Sequence, residues 1–141
     1  MKKEEFERLR RTYPHLCCYD FIALPDGWVA IAERLLADIN DIQPQVEGVF
    51  GSPVPLKIQS GNGFAAAFAT FNDLVTWDRD RALALVEAIQ RFNSTCPATC
   101  EVCGDPSVVI VKEHDGSRQQ TLCKLHADER LADYDRKEVL Q

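Results

Sequence analysis

The sequence predicts an α+β fold, with helices packed on a small antiparallel hairpin and a compact ligand-bearing module at the end of the chain. Three observations predict it. Two stretches, 28–42 and 82–92, repeat apolar residues at three- and four-residue steps, the period of an amphipathic helix. Between them Val54, Leu56 and Ile58 alternate with Pro55, Lys57 and Gln59, the period of a half-buried strand. Near the end, ligand-type residues come in pairs: Cys100-Glu-Val-Cys103 and Cys123-Lys-Leu-His126.

The elements follow in chain order. Residues 3–11 are charged except for a short stripe, Phe6 and Leu9, and predict a first helix that ends before Pro14. The mixed, mostly apolar run from His15 to Leu24 is expected to be extended, with Cys17 and Cys18 on opposite faces as unligated thiols. Pro25-Asp26-Gly27 signals a turn. A helix then runs from Trp28 to about Ile42, with Trp28, Ile31, Ala32, Leu35, Leu36, Ile39 and Ile42 on one face. Asp26 is placed to cap it, and Pro44 stops it.

Residues 46–71 predict β structure, turning at Ser60-Gly-Asn-Gly63, where Gly and Asn accept the positive φ a tight hairpin needs. On the return strand Phe64, Ala66, Phe68 and Thr70 share one face, and Ala65, Ala67, Ala69 and Phe71 the other. Neither face is strongly polar, so helices are expected to cover at least one. The next helix starts at Asp78 or Asp80 and reaches about Phe92. Ala82, Leu85, Val86, Ile89 and Phe92 are its apolar positions, and Trp77 is placed to staple its start. Pro97 breaks the chain.

In the last third, each ligand pair has two intervening residues, and nineteen residues (104–122) separate the pairs. That is the spacing of a structural zinc site of the Cys3His type: Cys100, Cys103, Cys123 and His126 around one Zn2+. The short gap lets two thiolates face one ion, and residues three apart on a helix face the same way. Four ligands close the tetrahedron, whereas a catalytic zinc keeps an open position. Cys96 is a spare thiol that is an alternative to His126 as fourth ligand. Between the pairs, Val108–Lys112 and Gln119–Leu122 read as strands around a turn at His114-Asp-Gly-Ser117. A helix then carries Cys123 and His126 on its first turn and runs to about Lys137. Leu125, Leu131, Ala132 and Tyr134 are expected inward. Knuckle, hairpin and ligand-bearing helix together predict a treble-clef-like module over 96–141, after an α+β region over 1–95. No linker separates the two, and a single shared core remains open.

Composition bounds the function. The chain has 141 residues, enough for one ordinary core, and is 45% hydrophobic and 27% charged, a globular balance. Its net charge is −6, from 16 Lys and Arg against 22 Asp and Glu. It lacks the basic excess that phosphate neutralisation demands, and would attract a basic protein instead. The final helix carries Lys124, Arg130, Arg136 and Lys137 against Asp128, Glu129, Asp133 and Asp135, a solvated face and not a phosphate rail. Met1-Lys-Lys-Glu-Glu has no apolar leader, no run approaches a membrane span, and cysteines in this setting favour metal over disulfides. The expected location is therefore cytoplasmic. Asn93-Ser-Thr95 matches a glycosylation acceptor by coincidence. No constellation of nucleophile and base stands out: His15 and His114 are isolated, and Asp26, Asp78 and Asp80 read as caps, so an enzyme is not expected.

The chain resembles a group of small, mostly uncharacterised bacterial and prophage proteins. The resemblance rests on Asp26-Gly27-Trp28 before the amphipathic helix, the Leu56–Phe71 hairpin, and the motifs Thr99-Cys-Glu-Val-Cys-Gly104 and Leu122-Cys-Lys-Leu-His-Ala127. The group's hairpin tends to alternate basic and aromatic residues, where this chain reads Phe64-Ala-Ala-Ala-Phe68. The resemblance implies a bacterial, intracellular zinc-containing module. The functional expectation is a non-enzymatic protein-binding module, such as an immunity protein or inhibitor of a basic toxin domain. The alternative is a nucleic-acid-binding or phage-encoded regulatory zinc-finger protein.

Overall fold

A computed structural model describes residues 1–44, 54–70, 77–107, 109–112 and 116–139, with side chains to residue 133. Among the described residues it contains four α-helices and two separate two-stranded antiparallel sheets. In order these are α1 (Lys3–Thr12), α2 (Val29–Ile42), β1 (Leu56–Gly61), β2 (Phe64–Ala69), α3 (Arg79–Thr95), β3 (Val109–Lys112), β4 (Gln119–Leu122) and α4 (Lys124–Val139). The expected strand residues 46–53 and Phe71, and the turn residues His114 and Asp115, lie outside the described residues.

The main core takes its shape from the helix stripes. Ala32, Leu35, Leu36 and Ile39 of α2 meet Leu85, Ala88 and Phe92 of α3, with Trp28 buried at the start of α2. Ile89 is only partly buried, and Val86, expected inward, is exposed, so α3 turns its Ala88 edge toward the core. Asp78 supplies the α3 cap, accepting from the Arg81 amide at 2.9 Å. Asp26 caps nothing: a 3-10 turn over Asp26–Trp28 leads into α2 instead.

The first hairpin closes on the two-residue turn Asn62-Gly63, both residues at positive φ (51° and 79°), the type I′ conformation that matches strand twist. Its register pairs Leu56 with Ala69, Ile58 with Ala67 and Ser60 with Ala65. The face carrying Val54, Leu56, Ile58, Ala65 and Ala67 is buried, while Phe64 and Phe68 stand on the other face, about half exposed. The small alanines face inward because α3 lies close over β2. Asn93 of α3 reaches the strand itself, accepting from the Ala67 amide at 2.7 Å.

The expected extended run 15–24 is instead a turn followed by a 3-10 turn over Tyr19–Ala23. Phe21 and Leu24 are fully buried, and Asp20 accepts from the Ile58 amide at 3.2 Å. Apolar plugging and two side-chain hydrogen bonds with β1, the second from the Ser60 hydroxyl to the Ala23 carbonyl at 3.4 Å, replace strand pairing there. Cys17 is buried and Cys18 half-buried, both as free thiols.

The last third has its own small core: Cys100, Val111, Leu122 and Ala127, with Cys123 packed against them. The phase of α4 corrects the expectation. Leu125 and Leu131 are exposed and Ala132 faces solvent, while Ala127 is buried and His126 half-buried. Tyr134's side chain lies outside the described residues.

Candidate metal centre

Three segments bring the four sequence-predicted ligands together. A tight knuckle over 100–104 carries Cys100 and Cys103. It is closed by Gly104 donating to the Cys100 carbonyl at 3.0 Å and by Cys100 donating to the Asp105 carbonyl at 2.7 Å. Gly104 has φ of 83°, a conformation that disfavours a Cβ. Cys123 stands at the junction of β4 and α4, and His126 lies on the first turn of α4.

One potential donor atom from each residue lies within 4.8 Å of the others. The Cys103 and Cys123 sulfurs are 3.8 Å apart. His126 Nδ1 lies 3.5 Å from the Cys100 sulfur and 3.2 Å from that of Cys123. A tetrahedral ion with metal–sulfur bonds of about 2.3 Å and metal–nitrogen bonds of about 2.0 Å has edges of about 3.8 Å (S···S) and about 3.5 Å (S···N). Three of the six donor separations thus match the edges of such a tetrahedron to within about 0.3 Å, and the rest lie within 4.8 Å. The separation of the Cys103 and Cys123 sulfurs is also far beyond the roughly 2.05 Å of a disulfide. Cys96 belongs elsewhere: it is fully buried in the main core, and burial pushes its thiol up to about 12.

The electrostatics suit a cation. Burial alone would raise the Cys100 thiol, but backbone N–H groups of Cys123, Cys103 and Val102 are aimed at its sulfur and bring it down to about 6. At Cys103 the Asp105 amide pulls the thiol down. Desolvation and the adjoining Cys100, Cys123 and Asp105 side chains outweigh it and push it up to about 12. Negative charge gathered at one point resists further deprotonation, and a divalent ion removes that resistance. The Asp105 carboxylate is 3.4 Å from the Cys103 sulfur.

Residues that the ligand spacing does not reveal hold this cluster in place. Glu101, between the first two cysteines, donates its amide to the Thr121 carbonyl at 2.9 Å, and its carboxylate accepts the Thr121 amide at 2.9 Å. Its carbonyl accepts the Gly27 amide at 2.8 Å. A Cβ on Gly27 would sit 2.1 Å from the Cys100 carbonyl oxygen, so the knuckle lies directly on the backbone that opens α2. Trp28 adds a buried hydrogen bond, its indole N–H donating to the Thr99 carbonyl at 2.9 Å. Ser107 donates its hydroxyl to the Leu122 carbonyl at 3.0 Å, tying the end of the knuckle loop to β4.

Comparison with protein-family models, curated proteins and solved structures found no match for this chain. Among the described residues no helix is long and apolar enough to cross a membrane. His15 is exposed and removed from the cluster in sequence, and His114 lies outside the described residues.

Proposed function

We propose that the chain is a zinc-stabilised protein-binding module. Cys100, Cys103, Cys123 and His126 hold one structural Zn2+, and residues 96–141 act as a treble-clef-like unit. The convergence of four donors within 4.8 Å, with three separations near those of a metal-bound set, carries this reading. Four protein ligands leave no coordination position for water or substrate, so zinc here supplies folding energy and not catalysis. The knuckle, the β3–β4 hairpin and the start of α4 are the three parts a treble clef requires, and each contributes to the ligand cluster or its packing.

The partner we propose is a basic protein, such as a toxin domain that this chain inhibits as an immunity protein does. The net charge of −6 supports a cationic partner, since opposite fields accelerate association. On α4, Lys124 is paired with Asp128 at 2.7 Å, which removes a cation from the helix that a DNA-reading finger would use. Acidic side chains gather where α2 and α3 run together: Asp38, Asp41 and Glu87 line one groove, with Asp38 bound to Arg91 at 2.7 Å. Glu47, which the sequence adds to this group, lies outside the described residues.

Elemental analysis of protein purified without chelator should give one zinc per chain; an absence of stoichiometric metal overturns the metal reading. Co-purification from native cells should yield a basic protein whose association slows as salt rises, because salt screens charges beyond about 8–10 Å. Tight, salt-sensitive binding to duplex DNA overturns the protein-binding reading in favour of a nucleic-acid one.

A further inference from the structure

The four donors differ sharply in access. Cys100 is fully buried, and its sulfur faces the N–H groups of Cys123, Cys103 and Val102. Cys123 and His126 are half-buried, while Cys103 is exposed. The exposed sulfur lies 3.8 Å from the Cys123 sulfur. Forming a disulfide requires closing that gap by less than 2 Å or so, to about 2.05 Å. The apolar core around it is small, Cys100, Val111, Leu122 and Ala127 among the described residues, while the hydrogen bonds of Glu101, Gly27 and Trp28 hold the Cys100 side of the knuckle.

We propose that Cys103 and Cys123 form a peroxide-reactive pair, a modification site at which a hydroperoxide converts the zinc-bound form to a disulfide form. The inference rests on the zinc reading above. The Cys103 thiolate attacks one peroxide oxygen and breaks the O–O bond. This gives a sulfenic acid at Cys103 and, after protonation of the leaving oxygen, water or an alcohol. The Cys123 thiolate then attacks the Cys103 sulfur, forming the S–S bond and expelling hydroxide, which takes up a proton as water. Two thiolates lose two electrons and the peroxide gains them. Only Cys100 and His126 then remain as ligands, too few to retain the ion. With the ion gone, α4 is left with its sparse packing on β3 and β4.

The test treats the intact zinc-loaded protein with hydrogen peroxide and follows three quantities: zinc released to a chromogenic chelator, free thiols, and the disulfide-linked tryptic peptides. The expected result is one zinc and two thiols lost per chain, with fragment 119–124 joined to fragment 92–112. Fragmentation of the linked peptide should place its bond at Cys103 and not at Cys96 or Cys100. Cys96→Ser should leave zinc release and the cross-link unchanged, because Cys96 lies in the other core. Cys103→Ser should abolish the 92–112/119–124 link. Should that variant fail to hold zinc, the bond position in the unsubstituted protein decides by itself. Zinc-loaded protein that keeps its metal and thiols at peroxide levels that oxidise free cysteine overturns the proposal and leaves the zinc reading standing. A bond at Cys100 also overturns it. Protein that carries no zinc at the outset overturns the zinc reading itself.

Discussion

The two halves of this chain are held by different forces. From Phe6 to Cys96, twenty buried residues among the described ones form one apolar cluster, with Trp28, Phe21 and Phe92 among its largest members. From Cys100 onward the corresponding cluster has four, two of them as small as cysteine and alanine. Apolar burial contributes about 25 cal/mol per Å2, so the first part draws far more of its stability from apolar burial than the second. What the second half has instead is a donor set shaped for an ion.

Removing the proposed ion is the largest test of that contrast. Chelation, or Cys100→Ser, should cost the last third most of its order, since zinc affinity in small modules is folding free energy of about 10–16 kcal/mol. Amide exchange should accelerate across 109–133 while α2 and α3 keep their protection. Equal loss in both halves, or none, would break the distinction. The converse test is Leu36→Ala or Ile39→Ala, both fully buried residues. Each should lower the stability of the main core by about 2–5 kcal/mol and leave one zinc per chain at moderate temperature.

This contrast also sets how much the sequence could reveal. The stripes of α2 and α3 are legible because a long helix buries the same face at every turn, and the Asn62-Gly63 turn because few residues accept its φ. The convergence of Cys100, Cys103, Cys123 and His126 is legible because metal ligands keep a fixed local spacing in sequence. The rotation of α4 is not legible from apolar pattern. Leu125 and Leu131 suggest one face, but Cys123 and His126 must meet the other donors, which turns Ala127 inward and leaves the leucines in water. The Tyr19–Ala23 turn escapes for a related reason: its partner, the Ile58 amide, lies 38 residues away. Gly27 reads locally as part of a turn, yet what demands a glycine is the Cys100 carbonyl, 73 positions later, pressed against it.

That contact is where the halves join, and it tests whether they are independent. Gly27→Ala places a methyl 2.1 Å from the Cys100 carbonyl oxygen and 2.8 Å from the Gly104 nitrogen. Overpacking of this kind costs about 1–3 kcal/mol, and here both partners are backbone that cannot rotate away. Trp28→Phe should cost about 1 kcal/mol through the lost indole hydrogen bond to Thr99, apart from any change in packing. If the halves are coupled, both substitutions should lower the melting temperature and also hasten zinc loss to a competing chelator. A change in melting with unaltered metal exchange would show the seam to be passive.

The smallest effect expected is one of pH, and it separates the two kinds of cysteine. Burial raises the Cys96 thiol from its ordinary 9.0 to about 12 and that of Cys17 to about 11. A raised thiol favours the protonated form in the folded state, so its contribution to stability is complete below about pH 9 and fades as pH climbs toward the folded value. The main core should therefore weaken between about pH 9 and 12. Cys96→Ala, which removes the ionisable group, should flatten that slope once its own cavity cost is subtracted as a constant offset. The ligand cysteines behave oppositely, because metal binding requires their thiolates and is lost toward acid. Alkaline denaturation profiles of the zinc-loaded protein and Cys96→Ala, followed by Trp fluorescence, should diverge only above about pH 9. Parallel profiles across the whole range would mean that Cys96 does not titrate from within the core, and the contrast between buried thiols and ligand thiols would lose its electrostatic part.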